Sequence, residues 1–181
     1  MDGRGRSAVL GSLILWMSLC GVISLSQGLA AQTPATTSGC ESEAHREFDF
    51  WVGDWEVTTA DGAIAGTNRV EKILDGCVVK ENWVGSGGMR GESYNIFSQR
   101  RGKWHQSWVD TTGRLLLLEG GLKGGKMVLG GQMPGRDGKT VRHEISWEEL
   151  DDGRVKQHWR ASRDQGKSWN DVFVGFYTRQ E

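Results

Sequence analysis

Proline is almost missing from this chain, with two residues in 181. Proline cannot donate to a β-ladder, so its scarcity leaves long paired strands uninterrupted. Cysteine is scarce too: Cys20, Cys40 and Cys77 are the full set. No second Cys or His stands at a metal-ligand spacing from Cys40 or Cys77, so a metal site has no basis in the sequence. An excess of one charge is also lacking, because 22 Lys and Arg nearly cancel 23 Asp and Glu. Electrostatics therefore point to no nucleic acid and no anionic membrane surface as partner. Past residue 25 no apolar run is long enough to span a bilayer as a helix. The acids form no recognisable catalytic pair, and the reading leans away from an enzyme.

The one long apolar run is at the start. Arg4 and Arg6 precede it, residues 8–25 carry it, and Gly28 and Ala30 put small residues before a cleavage point. This is the pattern of a Sec-type signal peptide over residues 1–30, cut after Ala30 or Ala31. A lipid anchor at Cys20 is disfavoured, since Leu19 stands where a small residue is needed. A periplasmic or secreted protein is expected, with no membrane segment after cleavage. Cys40 and Cys77 then remain, and an even count in an exported chain favours a disulfide. Residues 31–44 read as a linker and the start of a plug segment, with "QTPATTSG" its polar part. Residues 45–181 read as one domain, long enough for a real core.

That domain has a rhythm. Turn signals fall at Asp61-Gly62, Asp75-Gly76, "GSGG" (85–88), Gly102, Gly113, Gly124-Gly125, Gly138, Gly153 and Gly166. Glycine accepts the positive φ that tight hairpins need. These nine turns separate ten strand-length segments. Many alternate as half-buried strands do. "KWHQSWVD" sets Trp104, Gln106 and Trp108 on one face; "TVRHEISWE" sets Val141, His143, Ile145 and Trp147 together; "RVKQHWRAS" sets Val155, Gln157, Trp159 and Ala161 together. "LLLLE" (115–119) is apolar on both faces and is expected to be covered on both sides. Only "CESEAHREF" looks helical.

Ten sequential antiparallel strands would leave two long edges as an open sheet. The expected fold is therefore all-β, an up-and-down meander of about ten strands closed into a barrel. A two-sheet sandwich has the same local hairpins and is the alternative. Pairing across Asp61-Gly62 places Cys77 at the end where the first strand begins. A Cys40–Cys77 bridge would pin the preceding short helix over that end as a plug.

"FDFWVGDWEV" (48–57) carries Gly53-x-Trp55 at the start of the first strand. This resembles the Gly-x-Trp signature of lipocalins and calycin barrels, where the Trp packs over the closed end. Together with "GTNRVEKILDGCVVKENW" (66–83), "GKWHQSWVD" and "GKSW" it resembles a family of exported bacterial lipocalin-like proteins of unknown function. The resemblance covers almost the whole mature chain. The strand count is similar to fatty-acid-binding and nitrobindin-like barrels. The latter implies haem through one inward histidine, and His143 is the position that fits; otherwise no cofactor is expected.

"SRDQGKSW" (162–169) matches the Asp-box of sialidase propellers. An Asp-box is itself a hairpin turn, with Asp and Ser side chains bonding the turn backbone. A propeller repeats it over several blades, and one copy cannot build that active site. It is read here as the last hairpin turn.

Eight of the nine tryptophans lie in the mature domain. Trp55 and Trp169 read as structural. Trp104, Trp108, Trp147 and Trp159 are the candidates to line a cavity, with Gln106, His143 and Gln157 as polar contacts on the same faces. His105 and His158 have the opposite parity and read as solvent-facing. Arg69, Glu71, Glu81 and Asn82 read as an outward, solvated face. The leading function is binding a small, mostly apolar ligand inside the barrel. The alternatives are a haem-type or enzymatic barrel using His143, and a filled barrel with no ligand. A chain of this kind expects a small-molecule partner and no nucleic acid.

Overall fold

Glycine turns of positive φ at Gly62, Gly76, Gly88, Gly102, Gly113, Gly124, Gly125, Gly138, Gly153 and Gly166 punctuate the computed structural model as the sequence predicts. The structure describes residues 39–181; the expected signal peptide and most of the linker lie outside the described residues. Ten strands follow in order: β1 (Gly53–Thr59), β2 (Ile64–Ile73), β3 (Val78–Gly85), β4 (Arg90–Ser98), β5 (Lys103–Asp110), β6 (Leu115–Lys123), β7 (Lys126–Pro134), β8 (Thr140–Glu149), β9 (Val155–Ser162) and β10 (Asn170–Arg179). Each pairs antiparallel with the next, and β1 pairs with β10, from Trp55 opposite Arg179 to Thr59 opposite Gly175. That last ladder closes the barrel and decides against a sandwich. No helix of the described residues is long and apolar enough to cross a membrane.

The plug is a pair of 3-10 turns, Glu43–His45 and Asp49–Trp51, rather than one α-helix. The spacing explains this. His45, Phe48 and Trp51 are all buried, and they stand three residues apart. A helix of three residues per turn sets such residues on one face, while an α-helix would fan them out. Phe48 stacks on Trp51 at 4.9 Å and meets Trp104 and Trp147 edge-on. Several ties hold the segment to the barrel. Cys40 is bonded to Cys77 in the β2–β3 turn. Lys72 Nζ donates to Asp49 Oδ1 at 2.6 Å, Trp104 Nε1 donates to Glu47 Oε2 at 3.1 Å, and Trp55 Nε1 donates to the Trp51 carbonyl at 2.9 Å.

Gly-x-Trp has a direct physical basis here. Arg179 lies over the Trp55 ring at 4.3 Å and donates to the Val52 carbonyl at 3.0 Å. Gly53 has φ +152°, and a Cβ there would stand 2.2 Å from the Arg179 guanidinium. Only glycine satisfies both conditions.

The expectation for "LLLLE" is corrected. Leu116 and Leu118 are buried, but Leu115 and Leu117 are 52% and 46% exposed. A single-walled barrel covers only the inner face of each strand, and among the described residues no second layer lies outside β6. The Asp-box turn is as read: Ser168 N donates to Asp164 Oδ1 at 2.9 Å and Gly166 N to Ser162 Oγ at 2.7 Å. Hydrogen bonds from the Ser168 hydroxyl, the Ser168 N–H and the Ser162 hydroxyl hold the Asp164 carboxyl well below its usual range. Trp169 beside the turn carries the Arg160 guanidinium at 4.7 Å.

Two outcomes are expected. Removing the bridge by Cys40→Ala with Cys77→Ala lowers unfolding stability by about 4 kcal/mol, the chain-entropy cost of freeing a loop of this size, as read by urea titration. Gly53→Ala costs roughly 1–3 kcal/mol through backbone strain, before the clash with Arg179 is counted.

Candidate functional site

Alternation along the strands decides what enters the barrel. On β3 the inward row is Val79, Glu81 and Trp83; on β4 it is Gly91, Ser93 and Asn95; on β5 it is Trp104, Gln106 and Trp108. Register aligns Glu81 with Ser93 and Asn95 with Gln106. A belt of buried polar side chains therefore crosses the barrel at mid-depth. Asn68 Nδ2 donates to Glu81 Oε1 at 2.8 Å and Ser93 Oγ to Glu81 Oε2 at 2.7 Å. Asn95 Nδ2 donates to Ser93 Oγ at 3.0 Å, and Gln106 Nε2 donates to Asn95 Oδ1 at 2.8 Å. On the far wall Tyr177 donates its hydroxyl to Gln157 Oε1.

Below the belt the interior is filled by the plug and by Trp55, Trp104 and Tyr177, while Trp147 packs on Phe48 and Trp51 and also reaches the space above. Above it lies a cavity of about 390 Å³. Glu81, Gln106 and Gln157 supply its polar floor. Trp83, Trp108, Trp147, Trp159 and Phe173 supply its aromatic walls, with Leu116 and Ile145 between them. The mouth is at the end bearing the Ser86-Gly87 turn, Arg114 and Val172. Two of the rings are fixed through their N–H groups: Trp108 donates to Asp110 Oδ2 and Trp159 to His143 Nδ1, both at 3.1 Å. Trp108 also has a recess made for it. A Cβ on Gly91 would stand 2.3 Å from its ring, so the absence of a side chain on β4 lets the indole on β5 lie flat. The buried Trp147 N–H has no partner among the described residues.

Of the seven residues nominated as ligand contacts, five line this cavity: Gln106, Trp108, Trp147, Gln157 and Trp159. Trp104 belongs to the plug instead, through Glu47 and Phe48. His143 sits at the rim, opposite Ala161, in a cleft it shares with Arg114, Arg136 and Arg163. Burial first, then the charges of Arg114 and Arg163, push its pKa down. It is thus a neutral imidazole whose Nδ1 accepts from Trp159. No group of three or more His, Cys, Asp or Glu side chains among the described residues is placed to hold a metal ion.

Glu81 is the main correction to the reading from sequence. Arg69 and Glu71 do face out and pair with each other at 3.6 Å, and Asn82 donates to the Arg69 carbonyl. Glu81 faces in and is 4% exposed. The signal was present: Glu81 lies two residues from Trp83 and two from Val79, so period-two alternation gives all three the same face. Charge argues for solvent and parity for the interior, and in this barrel parity prevails. Trp83, Phe173, Leu116 and Ile145 were also missed as lining residues.

Burial raises the Glu81 pKa from 4.5 to about 7, with the bonds from Ser93 and Asn68 acting against it. Burial, and secondly the Glu81 charge, push the Tyr177 phenol well above its usual range, so it stays a donor. The Asn68 amide suits both states of the acid. Its N–H₂ faces the carboxylate, and its oxygen has no partner among the described residues, so a half-turn of the amide would accept the proton of a neutral Glu81. Among residues lining the cavity the only hydroxyl is Ser86 at the mouth.

No protein-family model matches the chain, and no curated protein matches it in sequence.

The acid makes stability depend on pH. Between 4.5 and about 7 the folded state keeps a proton that the unfolded chain has lost, so stability falls as pH rises through that window. The full effect is about 3 kcal/mol at 1.36 kcal/mol per unit. Glu81→Gln is expected to flatten this slope and to be more stable than the parent at pH 8, as measured by urea unfolding at a series of pH values.

Proposed function

We propose that this protein is an exported lipocalin-like barrel that binds a small, flat, mostly apolar molecule in the upper half of its interior. The observation that carries the reading is the cavity itself. It lies inside a closed barrel, its walls are indole and phenyl faces, and a few polar groups converge on its floor. A volume of about 390 Å³ is within the range of small-molecule sites. Such a lining gives area and shape to an apolar body, and the floor gives it one orientation. The Cys40–Cys77 disulfide supports a periplasmic or secreted location, where such bonds persist. The order of Gly53-x-Trp55, the plug and the ten-strand meander supports membership of the exported lipocalin-like family.

The test is to express the chain with its own N-terminus and recover it gently from the exported fraction. Native mass spectra and an absorbance scan are then recorded. A discrete excess mass that leaves on denaturation is expected, and Trp108→Ala with Trp159→Ala should lower its occupancy at least about tenfold, since the two changes remove most of one aromatic wall. An absorbance band in the haem region would transfer the reading to His143 at the rim. A clean mass with no extra component under all recovery conditions would favour a barrel that works through its outer surface.

A further inference from the structure

The cavity has an acid at its floor and no cation to match it. Glu81 accepts hydrogen bonds from two neutral groups, Asn68 and Ser93, and no Lys or Arg among the described residues lies within ion-pair distance. The other groups around it are Val70 on β2, Gln106 on β5, Gln157 on β9 and Tyr177 on β10, and Tyr177 is held neutral. The one cationic side chain on the lining is Arg114 at the mouth. It is already engaged, 3.9 Å from Asp110 and 5.4 Å over the Trp159 ring.

A carboxylate taken out of water needs a proton or an opposite charge. Both of its oxygens here hold one neutral donor and keep further acceptor capacity. The walls above it are tryptophan faces, whose negative π-surfaces attract ammonium and amidinium groups strongly once water is excluded. Resting on the binding reading above, we infer that the cavity is a site for an organic cation: a protonated amine or amidine on a flat apolar body, its charge at Glu81 and its body between the tryptophan rings. A ligand acid is excluded from the floor by the same carboxylate. A neutral ligand gains only the walls.

Three probes of one shape separate these cases: 2-(2-naphthyl)ethylamine, 2-(2-naphthyl)ethanol and 2-naphthylacetate, each titrated by calorimetry into the intact disulfide-bonded protein. At pH 8 the amine should bind at least about tenfold more tightly than the alcohol, and the acid most weakly. The preference should shrink toward pH 5.5 as Glu81 takes up its proton, because the amine stays charged throughout. In Glu81→Gln the amine should lose most of its advantage over the alcohol, and its binding should no longer depend on pH. The inference is overturned if the alcohol matches the amine at pH 8, or if the amine's advantage survives undiminished in Glu81→Gln. In those cases the cavity still binds, and the binding reading stands. If none of the three probes binds at any pH, the binding reading fails and the cation inference with it.

Discussion

The seam between β1 and β10 is the constraint on which the rest depends. A meander of ten strands has two free edges until Trp55 comes opposite Arg179. At that point the guanidinium lies on the indole and also caps the Val52 carbonyl, which ends the plug segment. One side chain thus joins the last strand, the first strand and the plug. Gly53 is the gap that lets it in. If the seam opened, the inner face would no longer be an inside, and neither the polar belt nor the aromatic walls would have anything to enclose.

The interior is divided by chemistry into a filled half and an open half. The lower half is packed by rings that touch one another and by a plug tied to the barrel at several points. The belt from Asn68 to Gln106 stops that packing, because its side chains satisfy one another sideways and offer no apolar surface for the next layer. The cavity is what remains above it. Glu81 carries the unfavourable part of this arrangement, an ionisable group in a place where charge is costly. A fold that served packing alone would gain by replacing it with an amide. A buried acid with no charged partner among the described residues is the kind of local conflict found where a chain serves something other than its own stability.

Much of this was legible from the residues. The nine glycine turns, the strand count and the closure followed from Asp-Gly and x-x-Gly spacing and from the edge problem of a large sheet. The disulfide followed from parity of cysteines and from which end Cys77 must occupy. The aromatic walls at Trp108, Trp147 and Trp159 followed from alternation. Depth was not legible. Trp104 and Trp108 share a face, and nothing in a strand's pattern says that one is below the belt and the other above it. His143 shares a face with Trp147 yet is four residues nearer the rim. The outward Leu115 and Leu117 and the inward Glu81 share one physical reason: polarity and parity point opposite ways there, and in a thin barrel parity is the stronger rule.

Gly91 has a wider consequence. The width of the cavity at Trp108 is set by an atom missing from the neighbouring strand, out of reach of anything inside. The dimensions of the chamber are therefore encoded in pairs of facing positions on adjacent strands, one large and one small. A lineage of such barrels could change what it admits by exchanging the members of such a pair, leaving the turns, the seam and the plug untouched.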